Sequence, residues 1–255
     1  MIMNFEEFCK SKGLTKQILN EFGAIVWCDG KFTGPKSPWV YNELVEHYSE
    51  TDSVVSIRKV IERKAWRYKQ LGANAAVFVP IFDLTGDFYG LSIRVIGSEK
   101  IKHDSFFMPE KSKSNVVFNL NRCYNSIKEK NAVFICEGAY DAIALSAAGQ
   151  KNAICLLGTA FHRQQLFQLK CFTDRIVMCT DPDNAGLLTI SKMISKYKDW
   201  FSFYKIDIDT DPDEYLTTHT LDDLKKTIVP IDVTKWLTEH PLKSGGNNGQ
   251  SNINR

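Results

Sequence analysis

Two short apolar runs in this chain end in acid. Val133-Phe-Ile-Cys136 leads into Glu137-Gly-Ala-Tyr-Asp141, and Ile176-Val-Met-Cys179 leads into Thr180-Asp181-Pro-Asp183-Asn-Ala-Gly186. A third acidic stretch, Asp211-Pro-Asp213-Glu214, follows the run Phe201–Ile206. Carboxylates gathered at neighbouring strand ends repel one another unless a cation lies between them. Hard cations such as Mg²⁺ are held by one or two carboxylates together with substrate phosphates. The chemistry this favours is metal-assisted phosphoryl transfer, in which two ions at about 4 Å activate an attacking hydroxyl and stabilise a leaving phosphate oxygen. Taken singly, Glu-Gly at a strand end also reads as a turn, and Asp-Pro-Asp-Asn as a helix cap. Order and context favour the site.

The elements that must position these residues can be read from the same stretches. Val133–Cys136 and Ile176–Cys179 are apolar throughout, as suits strands buried on both faces of a parallel sheet. Helical stretches over 139–148 and 187–196 follow them, and further strands are expected over 153–157, ending at Gly158-Thr159, and 201–206. Strand and helix in alternation make βαβ units, whose ligand crevice lies at the carboxyl ends of the strands. Glu137, Asp181 and Asp183, with Asp211 and Asp213, are therefore expected to converge. Gly138 and Gly186 stand where the chain turns sharply from strand to helix, and helix N-termini at that point favour phosphate.

Glu137-Gly-Ala-Tyr-Asp141, Gly158-Thr159, Asp181-Pro-Asp183-Asn-Ala-Gly186 and Asp211-Pro-Asp213-Glu214-Tyr-Leu together resemble the motif series of a Toprim domain, in the version found in bacterial-type and phage DNA primases. The resemblance implies that Glu137 is the acid/base residue and that Asp181 and Asp183 are the principal metal ligands. Asp141, Asp211 and Asp213 are then supporting or second-metal residues. It extends toward the N-terminus. Residues 77–94 read as a hairpin turning at Leu84-Thr-Gly86-Asp87 and resemble the segment that precedes the Toprim domain in the primase polymerase core. Arg94 and Lys102 after that hairpin inherit a role toward nucleotide or template. Phe5–Gly23 resembles the opening helical element of the same core, with Gly13 ending one helix and Thr15 capping the next.

The expected fold is α/β: a Toprim-like parallel sheet flanked by helices, preceded by a smaller α+β subdomain. The expected division is 1–130 for the N-terminal subdomain, 131–216 for the Toprim domain, 217–241 for a C-terminal helical segment and 242–255 for a disordered polar tail. Arg58, Lys59, Arg63, Lys64, Arg67 and Lys69 crowd one helix with Trp66 and Tyr68 between them, a pattern suited to tracking phosphates and stacking bases, with Arg63 and Arg67 as template contacts. Val55, Ile57, Ile61, Ala65, Tyr68 and Leu71 also make a buried face, which would leave the charges simply solvated.

The 255 residues are 44% hydrophobic and 24% charged, enough for a core and two subdomains. No apolar stretch reaches the length of a membrane span and no signal peptide is visible, so a cytoplasmic protein, bacterial or in a phage-infected host, is expected. Seven scattered cysteines form no Cys-x-x-Cys pair or finger quartet, so no zinc site is expected. No P-loop motif is present. The resemblance thus implies a primase-like nucleotidyltransferase that makes RNA primers on single-stranded DNA from ribonucleoside triphosphates with two Mg²⁺ or Mn²⁺ ions. Its implied partners are a replicative helicase and a separate zinc-binding protein. A Toprim nuclease and a non-catalytic DNA-binding accessory protein are the alternatives.

Overall fold

Each apolar run becomes a strand, and the strands sort into two five-stranded sheets. In the computed structural model, residues 3–34, 57–158 and 161–242 are described; the expected tail over 242–255 lies, but for its first residue, outside them, as do Val55 of the basic helix and Thr159. The first sheet runs β2-β1-β3-β4-β5, with β1 at Ile25–Cys28, β2 at Lys31–Thr33, β3 at Ala75–Phe82, β4 at Phe88–Ile96 and β5 at His103–Phe107, all antiparallel. Its centre is the expected hairpin. The turn between β3 and β4 is organised by Asp83, whose Oδ1 accepts from the backbone N–H groups of Thr85 and Asp87, and by Gly86 at φ +92°.

Helix α1 spans Phe5–Ser11 and α2 spans Lys16–Glu21. Between them Gly13 takes φ +60°, and the Thr15 hydroxyl accepts from the Ile18 N–H, as the sequence predicts. Helix α3, Ile57–Gln70, buries Ile57, Ile61, Ala65 and Tyr68 against one face of the first sheet, together with Leu91, Ile93 and Val95 of β4. Strand alternation then turns Ser92 and Arg94 to the opposite face.

The second sheet runs β10-β9-β8-β6-β7, with β6 at Val133–Cys136, β7 at Ala153–Cys155, β8 at Arg175–Cys179, β9 at Ser202–Ile206 and β10 at Ile228–Pro230. β7, β6, β8 and β9 are parallel, and their central members are buried on both faces. Helices lie on each side, α4 (Leu120–Lys130), α6 (Arg163–Lys170) and α7 (Asn184–Tyr197) on one and α5 (Ala139–Ala147) on the other. One expectation is corrected: the C-terminal segment is not wholly helical. After α8 (Pro212–Tyr215), the segment holds short helices α9 (Leu221–Lys226) and α10 (Val233–Glu239) separated by β10, which pairs antiparallel with β9 and closes that edge. Pro230 ends it, in keeping with the restriction of proline to strand ends and edges.

A continuous apolar cluster joins the two sheets. Phe5, Phe8, Leu14 and Leu19 of the N-terminal helices pack with Val77 and Val79 of β3 and with Tyr140, Ile143, Phe134 and Cys136 of the second sheet's layer. Tyr140 is the polar pin within it. Its hydroxyl accepts from the Arg94 N–H at 3.1 Å and donates to the Val77 carbonyl at 2.8 Å, bridging two residues that are registered across β3 and β4. Phe8 meets the Tyr140 ring edge-on at 5.6 Å.

Candidate active site

Glu137 is the first residue beyond β6 and Asp181 the second beyond β8, and these two strands are neighbours with Cys136 registered beside Cys179. The chain passes from β6 to β7 at one edge and then returns to β8 on the other side of β6. Helices α5 and α7, which leave β6 and β8, consequently cover opposite faces, and the crevice opens between their starts at the carboxyl ends of the strands. The acidic motifs sit at that crevice because the topology reverses there.

The helix starts explain the rest of each motif. Asp183 is the N-cap of α7, its Oδ1 accepting from the Gly186 N–H at 2.8 Å. A Cβ on Gly186 would lie 2.1 Å from the Asp181 carbonyl oxygen, so glycine is what lets α7 begin directly against the Asp181 backbone. At α5 the Asp141 Oδ2 accepts from the Gly138 N–H at 2.9 Å, which seats Gly138 as the cap. The other Asp141 oxygen accepts from the Lys12 ammonium at 3.0 Å, and the same ammonium lies 2.6 Å from Asp213 Oδ2. Asp211 caps α8 without a side-chain hydrogen bond to it.

The electrostatics are those of crowded carboxylates. Burial, followed by the charges of Asp211, Glu137 and Asp141, pushes the Asp181 carboxyl up to about 7. Glu137 is also raised, by burial and then by Asp183 and Asp141, although a hydrogen bond from the Asp181 backbone pulls the other way. Lys12 loses by burial but is raised on balance by Asp141 and Asp213. Among the described residues no three His, Cys, Asp or Glu side chains already form a metal cage. The donor chemistry nonetheless fits a hard divalent cation: the groups are oxygen ligands, and their mutual repulsion is what such a charge would relieve.

These carboxylates form one wall of a cleft of about 490 Å³ between the two sheets. Glu137, Asp141 and Asp181 face Ser92 and Arg94 of β4 and His103 of β5, with Lys12 and Lys113 also lining it. Lys113 lies so close to the loop after β7 that a Cβ on Gly158 would fall 2.6 Å from its amine. The Arg94 guanidinium lies over the Phe8 ring, 5.5 Å from its centroid, and is hydrogen bonded to the His103 imidazole. Arg94 is therefore in the cleft, as its position after the hairpin suggests. Lys102 is exposed and borders a separate hollow with Met3, Gly97 and Glu99. Arg63 and Arg67 are exposed on α3, behind the first sheet and away from the carboxylates. The cleft contains three basic residues that sequence reasoning did not assign to it, Lys12, His103 and Lys113. Lys12 had a signal, since it precedes the Gly13-Leu14-Thr15 turn of the N-terminal motif.

A Toprim-like family model matches residues 134–216. The primase of Aquifex aeolicus, solved as its zinc-binding and RNA polymerase domains, superposes with a TM-score of 0.65 at 20% identity, covering 92% of this chain and 59% of that one. Residues 134–216 form a Toprim-like domain on a primase-core fold. The RNA polymerase domain of the Mycobacterium tuberculosis primase, solved with a double-stranded DNA oligomer bearing a 6-nucleotide overhang, matches with a TM-score of 0.61 at 18% identity over 91% of this chain and 74% of that one. In sequence, the DNA primase of Rickettsia prowazekii is 28% identical over 178 residues, which is 66% of this chain and 30% of the relative. The chain thus spans about 30% of that relative's length, and the Toprim-like resemblance drawn from the motifs stands.

Proposed function

We propose that this chain is the nucleotidyltransferase core of a DNA primase, joining ribonucleotides on a single-stranded DNA template during replication. The observation that carries the proposal is the convergence of Glu137 and Asp181 at the strand crossover, across a cleft from Arg94 and with Lys113 beside them. The sequence relatives named DNA primase and the DNA-bound primase domain of the same fold support it. The proposed division of work assigns template and nucleotide contacts to residues 1–130 and the carboxylates to residues 131–216, with 217–241 closing the sheet.

In this reading Glu137, Asp181, Asp183 and Asp211 hold the divalent ions, two Mg²⁺ or Mn²⁺. The ions supply charge neutralisation for the triphosphate and a more acidic primer hydroxyl. Glu137, at the carboxyl end of β6 beside Asp181, would take the proton of the attacking 3′ hydroxyl on an oxygen not engaged by an ion. Arg94, clamped between Phe8 and His103 on the opposite wall, and Lys113, lodged against Gly158 beside the carboxylates, offer cationic donors to phosphate oxygens. Rigid strand ends matter because in-line phosphoryl transfer depends chiefly on positioning. The proposed partners are template DNA, ribonucleoside triphosphates, the growing RNA primer, a replicative helicase and a separate zinc-binding protein, and the proposed compartment is the cytoplasm. Among the described residues no helix is long and apolar enough to cross a membrane.

The test is incubation with labelled ribonucleoside triphosphates and mixed-sequence single-stranded DNA, with and without an annealed primer. Metal-dependent polymer is expected. Metal-dependent loss of template without polymer would overturn the proposal in favour of a Toprim nuclease.

A further inference from the structure

Lys12 closes helix α1, as its C-terminal cap, and points across the inter-sheet junction at two of the six motif carboxylates. Those two differ from the other four in being paired with Lys12, and Asp213 keeps a second oxygen, Oδ1, that is buried with no partner among the described residues. Asp141 has one oxygen on the Gly138 N–H and the other on Lys12, so both face hydrogen-bond donors from the protein. The Asp213 side chain is only 2% exposed and touches Lys12 at 2.6 Å. A Mg²⁺ or Mn²⁺ site in this chemistry needs ligand positions open to water and substrate phosphates, and Asp213 offers no such side. Asp181 and Glu137, by contrast, are partly exposed to the cleft, and Asp183 is exposed at the start of α7.

We infer that Lys12 is the resident cation of the acidic cluster, a positioning residue that pairs with Asp141 and Asp213 and leaves metal binding to Glu137, Asp181, Asp183 and Asp211. The inference rests on the metal-dependent reading above, and it divides the motif carboxylates by role. The pairing ties the N-terminal helical element to the starts of both α5 and α8, next to the Phe8–Tyr140 contact. Gly13 at φ +60° directs the chain away immediately after Lys12, so the ammonium is delivered at the end of a fixed turn and not on a free surface. A buried carboxylate such as Asp213, with the half-buried Asp141 beside it, would be costly without a counter-charge, and one ammonium shared by both meets that need.

Mn²⁺ titration of the full chain by calorimetry, combined with thermal unfolding in chelator, tests the division. Asp141→Asn and Asp213→Asn should keep Mn²⁺ affinity within about threefold of wild type, whereas Asp181→Asn should lose about tenfold or more. In chelator, Lys12→Met should lower Tm, Lys12→Arg should restore most of the loss, and Lys12→Met/Asp213→Asn should recover part of it by removing the stranded charge. Loss of Mn²⁺ affinity in Asp141→Asn or Asp213→Asn equal to that in Asp181→Asn would overturn the inference, as would an unchanged Tm in Lys12→Met. If Lys12→Met does not fold, the two asparagine titrations still decide. Absence of Mn²⁺ binding in wild type would instead overturn the metal-dependent reading, with the chelator series still judging the Lys12 pairing.

Discussion

At the scale of single residues, the motif carboxylates differ less in charge than in what their oxygens already touch. Asp183 spends one oxygen on the α7 cap, Asp141 spends both on donors, and among the described residues Asp181 accepts from no side chain while burial and the neighbouring carboxylates press on it. Asp181 accordingly holds its proton most strongly, with a carboxyl raised from an ordinary 3.8 to about 7. Because its folded-state affinity for the proton is raised, the stability it contributes is fully present below 3.8 and is lost as pH rises through about 7. In chelator, the difference in Tm between wild type and Asp181→Asn should therefore grow against wild type across that window. Mn²⁺ should reverse the trend, since the metal competes with the proton for the same oxygens and binds more tightly as pH rises. A wild-type minus Asp181→Asn difference independent of pH from 4 to about 7.5 would contradict this account of the site.

At the scale of elements, the strands and helices around the site were legible because their patterns are local. Val133–Cys136 is apolar at every position and becomes a strand buried on both faces, and Leu84–Asp87 carries the turn chemistry of the hairpin it makes. What could not be read is what depends on distant partners. Lys12 and Asp141 lie 129 positions apart, and although the turn after Lys12 marks it as part of a motif, nothing local says which carboxylate it meets. β10 escaped notice because three residues ending in proline carry too little pattern to mark a strand; its pairing comes from the open edge of β9. Tyr140 was visible as part of a motif, yet its role as the pin between sheets appears only once β3 and β4 are in place. Tyr140→Phe removes a hydroxyl that serves the Arg94 N–H and the Val77 carbonyl, both in the inter-sheet layer. It should cost about 1–3 kcal/mol in denaturant unfolding, the range for stranding a buried hydrogen-bonding group. A variant as stable as wild type would show that the two backbone groups satisfy each other without the phenol.

At the scale of the whole molecule, charge is distributed on two separated surfaces. The cleft holds Lys12, Arg94 and Lys113 against the carboxylates, while α3 presents Arg63, Arg67 and a Trp66 that is 66% exposed on the far side of the first sheet. Ile57, Ile61, Ala65 and Tyr68 are buried, Arg63 and Arg67 point outward, and Lys64 turns in to pair with Asp104 of β5. Under the proposed role, Arg63→Ala/Arg67→Ala should reduce the slope of log affinity for single-stranded DNA against log salt by about 1.4, the value for two lost phosphate contacts. An unchanged slope would make α3 a solvated face and confine template contacts to the cleft. The proposal as a whole stands on Glu137 and Asp181 at the crossover of β6 and β8, with Asp183 at the start of α7 beside them. The most direct measurement is ribonucleotide incorporation on single-stranded DNA by wild type and by Asp181→Asn/Asp183→Asn, with circular dichroism and DNA binding measured on the same samples. The account predicts that the double variant keeps its fold and its DNA affinity and makes no polymer; polymer at the wild-type rate from a folded double variant would contradict it.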